Sequence, residues 1–190
     1  MIKQANKTEC ELLGSLIGVW IGDKGMDITP EPEGPDKNPL HETIDFAVVG
    51  VIDNADKQDL EAVWYYQVAR KQSDDRIFHD QTGHWMWDPS DYTVMYFLTI
   101  TRAVSVLAVG RYDGSPDADG NIVLNVAASL ESNDWQIIQS PFMCENARTI
   151  EFTHSLVVGG DTLKYVEVTA LDICGNIFPH SDQNELRRVA

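Results

Sequence analysis

Five histidines are the residues of this chain best suited to ligand or proton chemistry, and their surroundings differ. His180 lies in Ile177-Phe178-Pro179-His180, after a strand-like run from Thr162 to Cys174 and a Gly175-Asn176 turn. Pro179 fixes the backbone just before it. A neutral imidazole held in this way can act as the single axial ligand of a haem iron. The plainer alternative is a tail histidine that caps the final turn. His79 and His84 flank Asp80-Gln81-Thr82-Gly83. At that separation they face opposite sides of a strand, so they form no paired metal site unless Gly83 marks a bulge. His154 shares an apolar strand face, where a lone histidine is more often a core or pocket residue than a ligand. His41 ends a proline-rich stretch and reads as exposed.

Other chemistries lack their signatures. There is no Gly-x-Ser-x-Gly, no P-loop and no His-Glu-x-x-His. Cys10, Cys144 and Cys174 are far apart and odd in number, with no Cys-x-x-Cys. Neither a thiolate zinc site nor a disulfide framework is expected, which favours a reducing, cytoplasmic compartment. Thirty acidic residues against 14 basic ones give a formal charge of −16. That argues against nucleic acid and against an anionic membrane surface as partners, and solubility explains the acidity. The N-terminus shows no long apolar run with a small-residue cleavage site, so no signal peptide is expected. No apolar stretch is long enough to span a bilayer.

The elements that must position these histidines read as strands. Ile44, Phe46 and Val48 alternate with Thr43, Asp45 and Ala47. Leu60, Ala62, Trp64, Tyr66 and Val68 share a face opposite Glu61 and Gln67. Ile122 to Leu130 alternates, and Ile150, Phe152 and Leu156 share a face with His154, opposite Thr149, Glu151, Thr153 and Ser155. Polar turns punctuate the runs at Asp53–Asp56, Asp88–Asp91, Asp113–Gly120 and Gly159–Asp161. About ten antiparallel strands in one domain of 190 residues suit an all-β, up-and-down barrel with its core over 12–189. A two-sheet sandwich is the rival. Thr8-Glu9-Cys10-Glu11 has the form of a capping box, which predicts a short helix ending at Gly14. A short turn is expected at the C-terminus. Met26 to Leu40, with four prolines, is expected to be a long loop over one mouth, either a lid or a surface excursion.

Near the start, Gly18-Val19-Trp20-Ile21-Gly22 puts a large aromatic between glycines on the first strand. Such a residue plugs one end of a small ligand-holding barrel. Arg187 and Arg188 come late. One of them, taken as Arg187, is expected to lie over the tryptophan ring.

These features together resemble the nitrobindin family of haem-binding β-barrels, distant relatives of fatty-acid-binding proteins and lipocalins. Gly18, Trp20 and Gly22 match its Gly-x-Trp-x-Gly-x-Gly, with the last glycine one place late at Gly25. His41-Glu42-Thr43-Ile44-Asp45-Phe46 matches its second strand, His79 and Gly83 its central strand, and Pro179-His180 its C-terminal Pro-His. The resemblance implies a ten-stranded barrel holding ferric haem b in an open apolar pocket. It makes His180 the axial ligand, with His79 or His154 near the haem, and implies nitric oxide binding or isomerisation of peroxynitrite to nitrate. Departures from the family pattern include Ser181 after the histidine and a late Leu186. Two other readings stand beside this one: a non-enzymatic carrier of a fatty-acid-like ligand, and a barrel filled by its own side chains. A monomer or a homodimer fits each.

Overall fold

The computed structural model describes residues 10–29 and 34–189. Its strands are β1 (Gly18–Thr29), β2 (Asp36–Ala55), β3 (Gln58–Lys71), β4 (Ile77–Asp88), β5 (Thr93–Ile100), β6 (Val104–Arg111), β7 (Ile122–Ser129), β8 (Ile137–Gln139), β9 (Arg148–Gly159), β10 (Thr162–Ile173) and β11 (Asn176–Arg188), with a helix α1 (Pro141–Asn146) before β9. The sheet runs β5-β4-β3-β2-β1-β11-β10-β9-β7-β6, and β5 pairs with β6. That closes a ring of ten antiparallel strands, and the open sandwich is ruled out. The short β8 adds to β6. It takes over at Val104–Val106, because β6 and β7 pair only at Val109–Ala127 and Gly110–Val126.

One end of the ring is plugged. Leu12, Leu13, Leu16, Trp20, Val63 and Trp85 pack there with little or no exposure. The chain enters the plug through a 3₁₀ turn at Leu13–Ser15, not the expected helix, and Thr8 and Glu9 of the capping box lie outside the described residues. The N-terminal backbone donors of this turn, which have no partner within it, are satisfied by a side chain of β3. The Glu61 carboxylate accepts from the N–H groups of Glu11, Leu12 and Leu13 at 2.8–3.1 Å. The Trp20 indole donates to the Leu16 carbonyl at 2.7 Å. The arginine over its ring is Arg188, with the guanidinium 4.3 Å from the ring centroid. Arg188 also donates to the carbonyls of Ile17 and Ser15. Arg187 points to solvent and donates to Thr162, so the structural role expected of it belongs to its neighbour.

Three local expectations change. First, Met26–Leu40 is mostly strand. Met26 pairs with Pro39 and Thr29 with Asp36, extending the β1–β2 hairpin. Pro39 is tolerated because its carbonyl accepts from Gln72, so its nitrogen faces the same side, where the pairing of β3 ends at Lys71. Pro30 and Pro32 lie outside the described residues. Second, the tail is no short turn but β11, held between β1 and β10. Third, β3 is turned the other way round. Glu61, Val63, Tyr65, Gln67 and Ala69 point inward, while Trp64 and Tyr66 stack on the outside with centroids 6.4 Å apart.

β3 faces this way because the barrel's middle is polar. Glu42 is 1% exposed, and its carboxylate accepts from Gln67, Asn184 and the Tyr165 hydroxyl at 2.6–3.0 Å. Gln81 bonds the hydroxyls of Tyr65 and Tyr96, which bond each other at 2.7 Å. Burial holds the Glu42 carboxyl above its ordinary value, against the opposing donors Asn184, Gln67 and Tyr165.

Two measurements test these packing arguments. In urea unfolding, Arg188→Ala should cost about 2 kcal/mol through the lost ring contact and carbonyl bonds. Arg187→Ala should stay within roughly 0.5 kcal/mol, as exposed substitutions do. The second concerns pH. A carboxyl raised in the folded state holds its proton more tightly there than when unfolded. The wild type therefore loses stability as pH rises above 4.5 through the raised value. Glu42→Gln has no proton to lose, so its stability relative to wild type should improve between pH 4 and pH 8.

Candidate ligand-binding site

At the end away from the plug the barrel opens into a cavity of about 600 Å³. Its presence overturns the reading of a barrel filled by its own side chains. The wall from β5, β6, β9 and α1 is apolar, with Leu98, Ile100, Val104, Val106, Phe152 and Met143. Met143 is presented by α1, whose first turn is capped by the Ser140 hydroxyl accepting from the Met143 N–H. The opposite wall, from β1, β10 and β11, carries Asp27, Glu167, His180 and Asp182. Lys71, Arg76 and Arg102 also line the cavity, at the ends of β3, β4 and the β5–β6 turn.

His180 faces this cavity from β11. Its Nε2 lies 2.6 Å from Asp27 Oδ1 and 3.7 Å from Asp182 Oδ2. Burial alone would lower its pKa, but the hydrogen bond to Asp27 and the charges of Asp182, Asp27 and Glu167 raise it. Asp27 shifts the other way. Burial opposes its charge, but hydrogen bonds from His180 and Thr29 hold its carboxyl below the ordinary value. Asp182 is pushed well up by burial, with Glu167 and Asp27 adding to it and only His180 opposing.

A bulge delivers Asp27 to this place. Between Gly22 and Gly25 β1 spends one residue more than β2, and the same irregularity appears against β11. Inward positions therefore switch from Trp20 and Gly22 to Gly25, Asp27 and Thr29. The extra residue accounts for the late third glycine. At Gly25 a Cβ would lie 2.1 Å from the Leu40 side chain, so the bare backbone is required.

The other histidines separate. His79 lines the cavity, with Nε2 3.0 Å from Gln81 Oε1. His84 points outward, on the opposite face from His79 as its spacing predicts, and Gly83 carries no bulge. His154 is buried inside the barrel against Trp85, Tyr96 and Tyr165 and does not line the cavity. Its Nδ1 lies 2.9 Å from Glu167 Oε2, its ring stacks on Tyr165, and its Nε2 is buried with no hydrogen-bond partner among the described residues. It borders the cavity through Glu167 and through Phe152, on whose ring it stacks with centroids 6.4 Å apart. His41 bonds Asp75 near the surface. Gly18, Trp20 and Gly22 belong to the plug end.

Several cavity residues escape a sequence reading. Asp27 falls in the segment expected to be a loop. Asp182 sits in the polar run Ser181 to Glu185, and Glu167 stands between Val166 and Val168, whose side chains point outward while the carboxylate points in. Thr149, expected to point outward, is turned in by a bulge at Ile150 and is 3% exposed. Among the described residues no helix is long and apolar enough to cross a membrane.

No curated protein matches this chain. Among solved structures it is similar to the crystal structure of Rv2717c from M. tuberculosis. The two share 22% identity and a TM-score of 0.67, over 94% of this chain and 95% of that one. At that identity the likeness speaks for the fold. The family model of the THAP4-like, heme-binding beta-barrel domain matches residues 9–188. That span takes in the plug, the ring of strands and the cavity wall with His180, and the chain belongs to this haem-binding β-barrel family.

Proposed function

We propose that the cavity binds haem b with His180 as its axial ligand. The observation that carries this reading is an imidazole on the wall of an open cavity of about 600 Å³. Three features of the chain fit the group. The imidazole is of the right type. An apolar wall from β5, β6 and β9 faces it and suits a macrocycle. Lys71, Arg76 and Arg102 offer cations to propionate carboxylates. A carboxylate on the far nitrogen of a ligating imidazole fixes its ring and raises its basicity; Asp27 bonds Nε2 of His180, so in that role it would leave Nδ1 for the iron. Haem held there by His180 would supply an iron able to bind nitric oxide or peroxynitrite. Isomerisation of peroxynitrite to nitrate is the activity that the family resemblance suggests. The chain's own contribution is to hold the ring of His180, exclude water along the apolar wall and leave His79 facing the guest.

A carrier of a fatty-acid-like ligand is the second reading. It is favoured by the same combination of apolar wall and rim cations, which suits any long-chain carboxylate, and it needs no particular histidine.

Titration of the protein with haemin separates the two. A Soret band should grow to one equivalent. His180→Ala should shift that band and weaken binding at least tenfold, the lower bound for losing even an outer-shell partner. An unchanged spectrum in the variant removes His180 as the ligand. Failure to bind haemin, with retention of a fatty acid seen by native mass spectrometry, would establish the carrier instead.

A further inference from the structure

We propose that Asp27, His180 and Asp182 form a second kind of site on the same wall, for a non-haem divalent transition-metal ion. It shares the imidazole of the haem reading but needs no haem, and the two guests exclude each other at His180.

The barrel's register creates an arrangement that β-sheets avoid. Asp27 on β1 lies directly opposite Asp182 on β11, and Asp182 lies directly opposite Glu167 on β10. Three carboxylates thus stand side by side on the inner face of adjacent strands. Like charges directly opposite one another are destabilising, and burial strengthens the repulsion. The two outer members each have an imidazole: His180 beside Asp27 at 2.6 Å, and His154 beside Glu167 at 2.9 Å. The middle one has none of its own. The Asp182 side chain is 16% exposed, and its nearest positive partner is His180 at 3.7 Å, beyond hydrogen-bond length. Its side-chain hydrogen bond is with the Asp27 carboxyl, a contact that needs a proton held between two acids. Without that proton the two acids repel each other across a largely buried gap. A cation seated between Asp182, Asp27 and His180 can take the place of that proton.

The donor atoms suit a single ion. One from each of the three side chains lies within 4.8 Å of the others, and the two distances to His180 are shorter still. Bonds of about 2.0–2.2 Å to nitrogen and oxygen need only small side-chain rotations from there. One imidazole with two carboxylates selects ions of the zinc, cobalt and iron(II) class. Calcium and magnesium take oxygen ligands, and copper(I) prefers sulfur. All three ligands come from the cavity wall, so the remaining coordination positions face the open cavity of about 600 Å³. That is the layout of a site that keeps places for water or a small guest.

Titrating haem-free, full-length protein with Co²⁺ tests this. Visible d–d absorption should saturate at one equivalent, and the ion should raise the melting temperature of the wild type. Asp182→Asn should weaken Co²⁺ binding at least tenfold and abolish that shift. Without metal this variant should be at least as heat-stable as wild type, since an amide can donate to Asp27 without a proton held between two acids. A merely structural Asp182 would give a less stable variant. No Co²⁺ binding, or binding unchanged in both Asp182→Asn and His180→Ala, overturns the proposal. If haemin binds and Co²⁺ does not, the haem reading survives alone. If Co²⁺ binding depends on Asp182 and haemin does not bind, the metal site stands and the haem reading falls.

Discussion

The insertion of β11 between β1 and β10 is the contact on which the rest of this molecule depends. It closes the ring, and it does so with the most polar strand in the chain. Its C-terminal half serves the plug, where Arg188 stacks on Trp20 and ties down the carbonyls of the entering segment. Its N-terminal half serves the cavity, where His180 and Asp182 meet Asp27 from β1. One strand therefore couples the sealed end to the open end. Residues more than 150 positions apart in the sequence become neighbours through its hydrogen-bond ladder.

Between those ends the barrel departs from an oily core. Glu42, Gln67, Gln81 and the hydroxyls of Tyr65, Tyr96 and Tyr165 fill the middle as a connected network. Each member finds partners, which is the condition for such a network to stabilise a core. The arrangement separates two functions. Apolar packing at the plug supplies stability, and the polar middle gives the cavity a hydrogen-bonded floor. The cavity wall is less well compensated. Its three carboxylates in a row have only two imidazoles between them, and the imbalance sits where a guest can reach it.

Much of the fold was legible in the sequence because alternation and turns are local. The strands of β2, β7 and β9, the hairpin at Gly160 and the opposite orientation of His79 and His84 all follow from period two. Where the reading failed, long-range register prevailed over local pattern. On β3 the alternation was real, but the larger apolar side chains point outward because Glu61 and Gln67 are needed inside. Asp27 was hidden twice, by the prolines around it and by a bulge that reverses which residues face inward. The place of His180 on the cavity wall is hinted at by Pro179 before it, yet its partners Asp27 and Asp182 follow only from knowing which strands are neighbours. The choice between Arg187 and Arg188 likewise turned on which one faces inward at the end of β11.

The most direct measurement of the central claim is a crystal structure of the protein loaded with haemin. The account predicts the macrocycle against the β5–β6 wall, iron bonded to the imidazole of His180 and propionates near Lys71, Arg76 or Arg102. Iron bonded to His79 instead, or haem lying outside the barrel with His180 still held by Asp27, would contradict it.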